Sequence, residues 1–296
     1  MTRIVSILRV IAVVVGLSVA ARGAEAPFRE VIAFGDSLTD VGNVAGLTEA
    51  GVAPVIDGYY EETHFSDNIL WIEWLAEYWG LPERTPGRGN STSLKAQPKG
   101  NTWAWGGSAA AAGSDQPDGV TEPIPNLLKE VNSYLLRNTV RRDTLYTLWS
   151  GADNLLVLGK FGPKAAEDAV QAVTSAMWRL EYAGARHIVV FDMPKLGDTP
   201  NAQSGGPVAI AAANLYGDSY NAALRKKVNA GETYTPDFFV PGPPVEINNV
   251  KDEGLDYFQT NGTFPSGYLF WDDVHPTTQG HQMVAGLVLR ALNAGR

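Results

Sequence analysis

The chain has 296 residues, of which 45% are hydrophobic and 19% are charged, so it can bury a full core and is not intrinsically disordered. Lys and Arg number 23 against 32 Asp and Glu, and the resulting net charge of -9 argues against a nucleic-acid partner, which requires a basic surface. The sequence contains no cysteine, which excludes disulfides, thiolate zinc sites, iron–sulfur clusters and a thiol nucleophile.

The first residues predict export. Arg3 and Arg9 precede an apolar run at residues 10–21, and small residues follow it, as at the cleavage sites of secretory signal peptides. The run is shorter than the roughly 20 residues that a membrane-spanning helix needs. We therefore expect a signal peptide over residues 1–24, one domain over residues 25–296, and a mature chain that is secreted or periplasmic and has no membrane span.

After residue 30 the chain alternates short β-rich runs with longer helical segments, a pattern that predicts an α/β domain with a parallel sheet. We predict strands at residues 31–34, 101–105, 144–149, 187–192 and 234–240, and helices at residues 67–79, 124–136, 163–183, 206–230 and 277–292. Ser66 and Asp67 are expected to cap the first of these helices, and Gly80 is expected to end it. Residues 82–100 and 241–267, rich in Gly and Pro, are predicted to form long surface loops.

The first predicted strand runs directly into a Gly-Asp-Ser-Leu turn at residues 35–38. Open α/β sheets bind their ligands at the carboxyl ends of the strands. Ser37 would therefore present its hydroxyl at that edge, with backbone N–H groups of the turn directed at the group it attacks. The alternative is that Ser37 only caps the next helix.

A second polar segment, Trp-Asp-Asp-Val-His-Pro-Thr at residues 271–277, supplies partners for such a serine. A serine hydroxyl becomes a good nucleophile when an imidazole takes its proton, and the imidazole needs an acceptor that fixes its tautomer. Asp272 lies three residues before His275 and can be that acceptor. Ser37, Asp272 and His275 are therefore the predicted catalytic residues.

These two segments resemble the first and last blocks of the GDSL, or SGNH, hydrolase family. Residues 101–109 are similar to its second block, in which a Gly backbone N–H forms part of the oxyanion hole, and Gly107 is the match. Residues 64–68 and 192–200 resemble stretches of its lipase-like branch, with His64 in place of an Arg. The resemblance covers about residues 30–292. It implies a flavodoxin-like three-layer α/β/α sandwich with a central parallel sheet of about five strands, and an esterase or lipase that requires no cofactor and no metal.

One block departs from the family pattern. Gly-x-Asn-Asp, whose Asn donates to the oxyanion, appears here as Gly-Ala-Asp-Asn at residues 151–154. A carboxylate about 4 Å from a developing oxyanion would repel it by roughly 4 kcal/mol at an effective dielectric constant of about 20. Either Asn154 reaches the oxyanion through a shifted turn, or Asp153 is protonated and donates, or the block has decayed and the protein is a weak enzyme or none. We favour Asn154, and the predicted oxyanion hole consists of the backbones of Ser37 and Gly107 with the Asn154 side chain.

Other side chains have competing interpretations. Ser108, in Gly-Gly-Ser-Ala-Ala at residues 106–110, is close to the Gly-x-Ser-x-Gly elbow and is a rival nucleophile, but Ser37 is preferred. Trp103 and Trp105 are candidates for a substrate-binding wall, with core packing as the alternative, and in an extended segment they would share one face. Of the remaining histidines, His187 is predicted to be structural and His64 a loop residue. His281 is six residues from His275, a spacing that does not indicate a metal site.

The predicted substrate is a small-molecule or lipid ester, and the lipase-like blocks favour a carboxylic ester with an apolar acyl chain. A carbohydrate acetylesterase, an acyltransferase and a non-catalytic exported protein that binds polysaccharide or lipid remain alternatives on the same scaffold. The sequence makes no prediction about oligomeric state.

Overall fold

The computed structural model describes residues 27–49, 64–87, 100–110, 124–229 and 269–294. The predicted signal peptide, the predicted strand at residues 234–240, the loop at residues 241–267 and most of the loop at residues 82–100 lie outside the described residues.

Three parallel strands form the sheet: β1 (Glu30–Gly35), β2 (Thr144–Trp149) and β3 (His187–Val190), in the order β1-β2-β3. Leu145 of β2 lies between Val31 of β1 and His187 of β3. Every residue of β2 is buried, as expected for a central strand with helices on both faces. The strands predicted near residues 31, 144 and 187 are confirmed, although β3 ends two residues earlier than predicted.

Within the described residues the sheet has three strands, and the predicted total of about five is not tested there because the strand expected at residues 234–240 lies outside them. Residues 101–105 run extended beside β1, where the Trp103 N–H donates to the Ala33 carbonyl at 2.7 Å, but they form only isolated bridges. On their other side Asn43 Nδ2 donates to the carbonyls of Thr102 and Ala104 at 3.1 and 2.7 Å. The Thr102 carbonyl also accepts the Gly87 N–H at 2.6 Å, so residues 85–87 pair with this segment through a single bridge.

Helices cover both faces of the sheet, which confirms the three-layer α/β/α sandwich. The helices are α1 (Asn43–Glu49), α2 (Trp71–Trp79), α3 (Leu127–Arg137), α4 (Ala152–Leu156), α5 (Gly162–Tyr182), α6 (Pro200–Ser204), α7 (Gly206–Asn229) and α8 (Thr278–Ala294), with a 3-10 turn at Leu196–Asp198. Side chains of β1 alternate between the layers, so Ile32 and Phe34 pack with α3, α5 and α7, whereas Val31 and Ala33 pack with α2 and α8. No helix in the described ranges has the length and apolar character needed to cross a bilayer.

The start of α2 was predicted four residues too early because its expected caps are engaged elsewhere. The Asp67 carboxylate accepts the Thr278 N–H at 2.6 Å and the Ser66 hydroxyl donates to the Pro276 carbonyl at 3.0 Å, so both serve the start of α8. Glu73 instead accepts the Leu70 N–H at 2.7 Å in front of α2. The predicted end is confirmed, since Gly80 closes α2 in the left-handed conformation with φ 62°.

Candidate active site

The structure brings together the three predicted catalytic residues. Ser37 follows β1 at the carboxyl edge of the sheet, and its Oγ lies 2.8 Å from Nε2 of His275, which is 238 positions away in the chain. His275 Nδ1 lies 2.6 Å from Oδ2 of Asp272. This is the geometry in which an imidazole can take the serine proton while a carboxylate orients its ring.

Asp272 is held in place as an ionised acceptor. Its Oδ1 accepts the backbone N–H groups of Val274 and His275 at 2.8 and 2.7 Å. Burial by itself raises the pKa of Asp272, but the hydrogen bond and charge of His275 together with these N–H groups outweigh it and hold the pKa below its ordinary value. A carboxylate in this state keeps the Nδ1 proton on the imidazole and leaves Nε2 free to act as a base.

A segment distant in sequence positions the imidazole. The Phe65 ring packs against the His275 ring with centroids 5.1 Å apart, and the Trp271 N–H donates to the His275 carbonyl at 2.7 Å. The neighbouring His64 is buried and pairs through Nε2 with Glu73 at 3.1 Å, so it is more than the loop residue expected from sequence. Residues 64–68 thus fix the loop that carries His275.

Two backbone donors lie at the same cavity as the Ser37 hydroxyl. Gly107 adopts φ 80°. The N–H groups on either side of it are already hydrogen-bonded, since that of Gly106 donates to Asp40 at 2.9 Å and that of Ser108 donates to the Trp105 carbonyl at 3.0 Å. The N–H groups of Ser37 and Gly107 have no partner within the part of the chain that the structure describes. Both residues line one cavity, so these N–H groups can serve a substrate oxygen.

Glu130, which is not among the site residues predicted from the sequence, supports both turns that carry these N–H donors. Its side chain is fully buried, with Oε2 accepting the Gly35 N–H at 2.9 Å and Oε1 accepting the Ser108 hydroxyl at 2.6 Å. Burial raises the pKa of Glu130 well above its ordinary value, which the two hydrogen bonds oppose and the charges of Asp36 and Asp40 reinforce. Ser108 is buried in this contact and does not line the cavity, so the structure gives no support to it as a rival nucleophile.

Asn154, the side chain that the sequence favours for the oxyanion hole, does not line the cavity. Asn154 is buried, and its Oδ1 accepts the Ala110 N–H at 2.9 Å, which ties α4 to the 106–110 segment. Asp153, not Asn154, lines the cavity, so the shifted turn does not occur. Ala152, Asp153 and Leu156 lie on the side of α4 that lines the cavity, whereas Asn154, about 100° further round the helix from Asp153, faces away from it.

The proposed tryptophan wall is also corrected. Trp103 and Trp105 are 1% and 2% exposed, and neither lines the cavity. Trp103 packs edge-on against Tyr134 and donates through Nε1 to the Gly100 carbonyl at 2.9 Å. Trp105 packs in a separate cluster with residues of α1 and Phe65. Both are core side chains, because the 101–105 segment is covered on each side.

The cavity beside Ser37 has a volume of about 470 Å³ and a mainly apolar lining. Its apolar side chains include Leu38, Val44, Phe65, Leu156, Val157 and Leu196, and its ionisable groups include Asp36, Asp153, Lys195, Asp198 and Asp273. An apolar chain fits such a surface, with the reacting group held at the polar end.

The other two histidines have structural positions. His281 is fully buried on α8, and burial, followed by the charges of His275 and His64, lowers the pKa of His281 to about 3. It is therefore neutral over the physiological range. His187 begins β3 as expected, and its ring packs 5.0 Å from that of Phe28.

The architecture matches solved esterase structures at low sequence identity. A carbohydrate acetylesterase of Sinorhizobium meliloti superposes with a TM-score of 0.51 at 12% identity, over 90% of this chain and 99% of the other. The inhibitor-bound aryl esterase of M. smegmatis gives a TM-score of 0.50 at 14% identity, over 90% of this chain and all of the other. At these identities the likeness establishes the fold.

Similarity in sequence identifies the family. The phosphatidylcholine-sterol acyltransferase of Aeromonas hydrophila is 30% identical over 67% of this chain, and this chain spans only 54% of its length. The family model described as GDSL-like Lipase/Acylhydrolase matches residues 31–288, which include Ser37 and the 271–277 segment. The likeness therefore runs through both ends of the site, and this chain belongs to the GDSL-like lipase/acylhydrolase family.

Proposed function

We propose that this protein is an exported serine esterase or lipase that hydrolyses carboxylic esters at Ser37. The observation that carries the proposal is the continuous contact from the Ser37 hydroxyl through His275 to Asp272, opening onto a mainly apolar cavity. The family supports the same reaction class, acyl transfer from an ester.

The geometry supports a reaction in two halves. Ser37 Oγ attacks the ester carbonyl carbon while His275 Nε2 takes the hydroxyl proton. As negative charge develops on the carbonyl oxygen, this oxygen accepts hydrogen bonds from the backbone N–H groups of Ser37 and Gly107. The C–O bond to the alcohol then breaks, the imidazolium returns its proton to the leaving oxygen, and the acyl group remains on Ser37.

Water completes the cycle. His275 removes a proton from a water molecule, which attacks the acyl carbon, and the Ser37 oxygen leaves with the proton as the carboxylic acid is released. Asp272 remains ionised throughout and stabilises the imidazolium in both halves, since its pKa lies below the ordinary value.

The cavity favours an ester with an apolar acyl chain. Leu156 and Val157 follow Asp153 along the wall and Leu196 faces the same space, so a hydrocarbon chain would replace water against aliphatic side chains. Burial of each methylene contributes about 0.8 kcal/mol, which predicts that kcat/KM rises with acyl length until the cavity is filled.

The direct test is hydrolysis of p-nitrophenyl esters from acetate to palmitate by the purified protein, with labelling by a fluorophosphonate probe. Ser37→Ala should lose at least about 10³-fold in kcat and all labelling. Ser219→Ala, which removes an exposed hydroxyl that donates to the Leu215 carbonyl within α7, is the matched control and should keep both. An unlabelled wild-type protein would instead favour a non-catalytic binding protein on the same scaffold.

Acyl transfer is a second candidate, because a relative that is 30% identical over 199 residues carries the name of an acyltransferase. The same acyl-enzyme would then be attacked by an alcohol in place of water, with His275 taking the alcohol proton. Addition of an alcohol or sugar acceptor should speed p-nitrophenol release and yield a new ester. An unchanged rate with carboxylic acid as the sole product would favour the hydrolase.

Export of the chain is proposed from the first 26 residues alone, with Arg3 and Arg9 ahead of the apolar run at residues 10–21. Expression of the full chain should yield a protein outside the cytoplasm whose mass is that of a chain shortened by roughly 20 to 26 residues. A full-length protein retained in the cytoplasm would contradict this part of the proposal.

A further inference from the structure

Asp153 is the side chain at the cavity that the proposed mechanism leaves without a role. It occupies the second position of α4, directly beyond the carboxyl end of β2, and lines the cavity together with Ser37 and Gly107. The backbone register pairs Gly35 with Trp149, so the turn that carries Ser37 and the turn that leads into α4 leave the sheet side by side.

The Asp153 side chain is only 6% exposed. Its Oδ2 is shielded from solvent and unpaired within the described residues. Native proteins pair almost all of their buried polar atoms, and a shielded oxygen without a protein partner favours the neutral carboxyl over an ionised one. The amide that could replace it is not available, because Asn154 Oδ1 is bonded to the Ala110 N–H.

The charge state of Asp153 follows from what surrounds it. Burial raises the pKa of Asp153 well above its ordinary value, and the negative charge of Asp36 on the turn after β1 raises it further. From α7, the Tyr216 hydroxyl donates to the Gly151 carbonyl and not to Asp153. The other titratable groups at the cavity are Lys195, Asp198, Asp273 and His275. A neutral carboxylic acid carries an O–H that can donate, as an ionised carboxylate cannot.

We propose that Asp153, as a neutral carboxylic acid, is the side-chain donor of the oxyanion hole and completes the pair of N–H donors from Ser37 and Gly107. Its hydroxyl proton stays on Asp153 and forms a hydrogen bond to the substrate carbonyl oxygen, most strongly when that oxygen carries negative charge. The inference rests on the proposed esterase activity. It predicts an enzyme whose turnover fails on the alkaline side, since loss of this proton turns a donor into a repelling charge.

The test compares kcat for a p-nitrophenyl ester between about pH 5 and pH 9 in the wild type and three variants. Asp153→Ala should lower kcat by about 10²- to 10³-fold with little change in KM. Wild-type kcat should have an alkaline limb, a fall of about tenfold per pH unit above the pKa of Asp153. Asp153→Asn should keep substantial activity and lack this limb, because an amide donates at every pH. Asn154→Ala should lower the unfolding midpoint and leave the shape of the pH profile unchanged.

Identical alkaline limbs in the wild type and Asp153→Asn would overturn the inference, as would full activity in Asp153→Ala. An equal kcat loss in Asn154→Ala at unchanged stability would return the role to Asn154. These outcomes are separate from a failure of the proposed function, which would appear as a wild-type protein without Ser37-dependent labelling by the fluorophosphonate.

Discussion

Glu130 offers a sharp test of how the nucleophile turn is supported. This buried side chain joins two segments, through the Gly35 N–H on one oxygen and the Ser108 hydroxyl on the other. Gly35 lies two residues before Ser37, so loss of this contact affects both the fold and the position of the nucleophile. We compare Glu130→Ala, which removes both acceptors, with Glu130→Gln, which keeps the size of the side chain.

The magnitude follows from the two donors left behind. A buried donor without a partner costs about 1 to 3 kcal/mol, so Glu130→Ala should lower the unfolding free energy by about 2 to 6 kcal/mol. The raised pKa of Glu130 favours a neutral carboxyl, and Gln has the same shape. The Gln oxygen can accept the Gly35 N–H and its NH₂ group can donate to Ser108 Oγ, so the contact with Ser108 is kept with donor and acceptor exchanged. Glu130→Gln should therefore cost less than about 1.5 kcal/mol.

Urea unfolding followed by far-UV circular dichroism measures both variants, and equal slopes against urea verify that the same surface is exposed. In parallel, kcat of Glu130→Ala should fall by up to about 10²-fold, the effect of displacing a reacting group by about 1 Å. Glu130→Gln serves as the matched control and should keep most of the wild-type turnover.

Two results would refute this reasoning. If Glu130→Ala unfolds within about 0.5 kcal/mol of the wild type, the two hydrogen bonds do not stabilise the turns. If Glu130→Gln is as unstable as Glu130→Ala, the fold requires an ionised carboxylate at this position, and the direction of the pKa shift is wrong.

Three further predictions concern the site and its surroundings. Gly35→Ala should destabilise the protein by at least about 3 kcal/mol, because a Cβ on this residue with φ 147° would lie 2.0 Å from a carbonyl oxygen of β2. Gly80→Ala is the control measured in parallel thermal melts, and it should cost about 1 to 2 kcal/mol because the space around Gly80 is open. Asp272→Asn should lower kcat by about 10³- to 10⁴-fold with KM nearly unchanged, since the amide does not hold the Nδ1 proton on His275, and a loss under tenfold in steady-state assays would contradict this role. Burial raises the pKa of Asp36 to about 7, so its contribution to stability is present below about pH 4 and is lost as pH rises through 7. Asp36→Asn should therefore remove up to about 4 kcal/mol of the change in unfolding free energy between pH 4 and pH 7, and an unaltered pH dependence in urea unfolding would count against this titration.

The sequence predicts the regular elements well where the signal is local. Thr144–Trp149 is recovered with its bounds, and the helices Gly162–Tyr182 and Gly206–Asn229 are each recovered to within one residue, because apolar runs and long amphipathic segments carry their own period. The start of α2 is missed because Ser66 and Asp67 bond to residues more than 200 positions away. No local pattern encodes such a partner.

The sequence predicts which motif residues come together at the site. It does not predict which of two adjacent residues of α4 faces the cavity. Adjacent positions of a short helix determine whether Asp153 or Asn154 faces the cavity, and the sequence left this choice open. Glu130 carried a readable signal, since it is an acid between the buried positions Leu127 and Val131 of α3. An acid on the apolar face of an amphipathic helix predicts a buried polar contact, although not its partners.

The long separation between Ser37 and His275 has a consequence for how the molecule comes into being. During synthesis the serine emerges early and remains a plain hydroxyl until α8 has been made and has docked against α2. For the proposed esterase, the turnover recovered in a refolding experiment therefore measures the fraction of native protein. A chain that has regained only its secondary structure would have no activity. On the same proposal, the cell that makes this protein encounters no ester-cleaving centre on an incomplete chain.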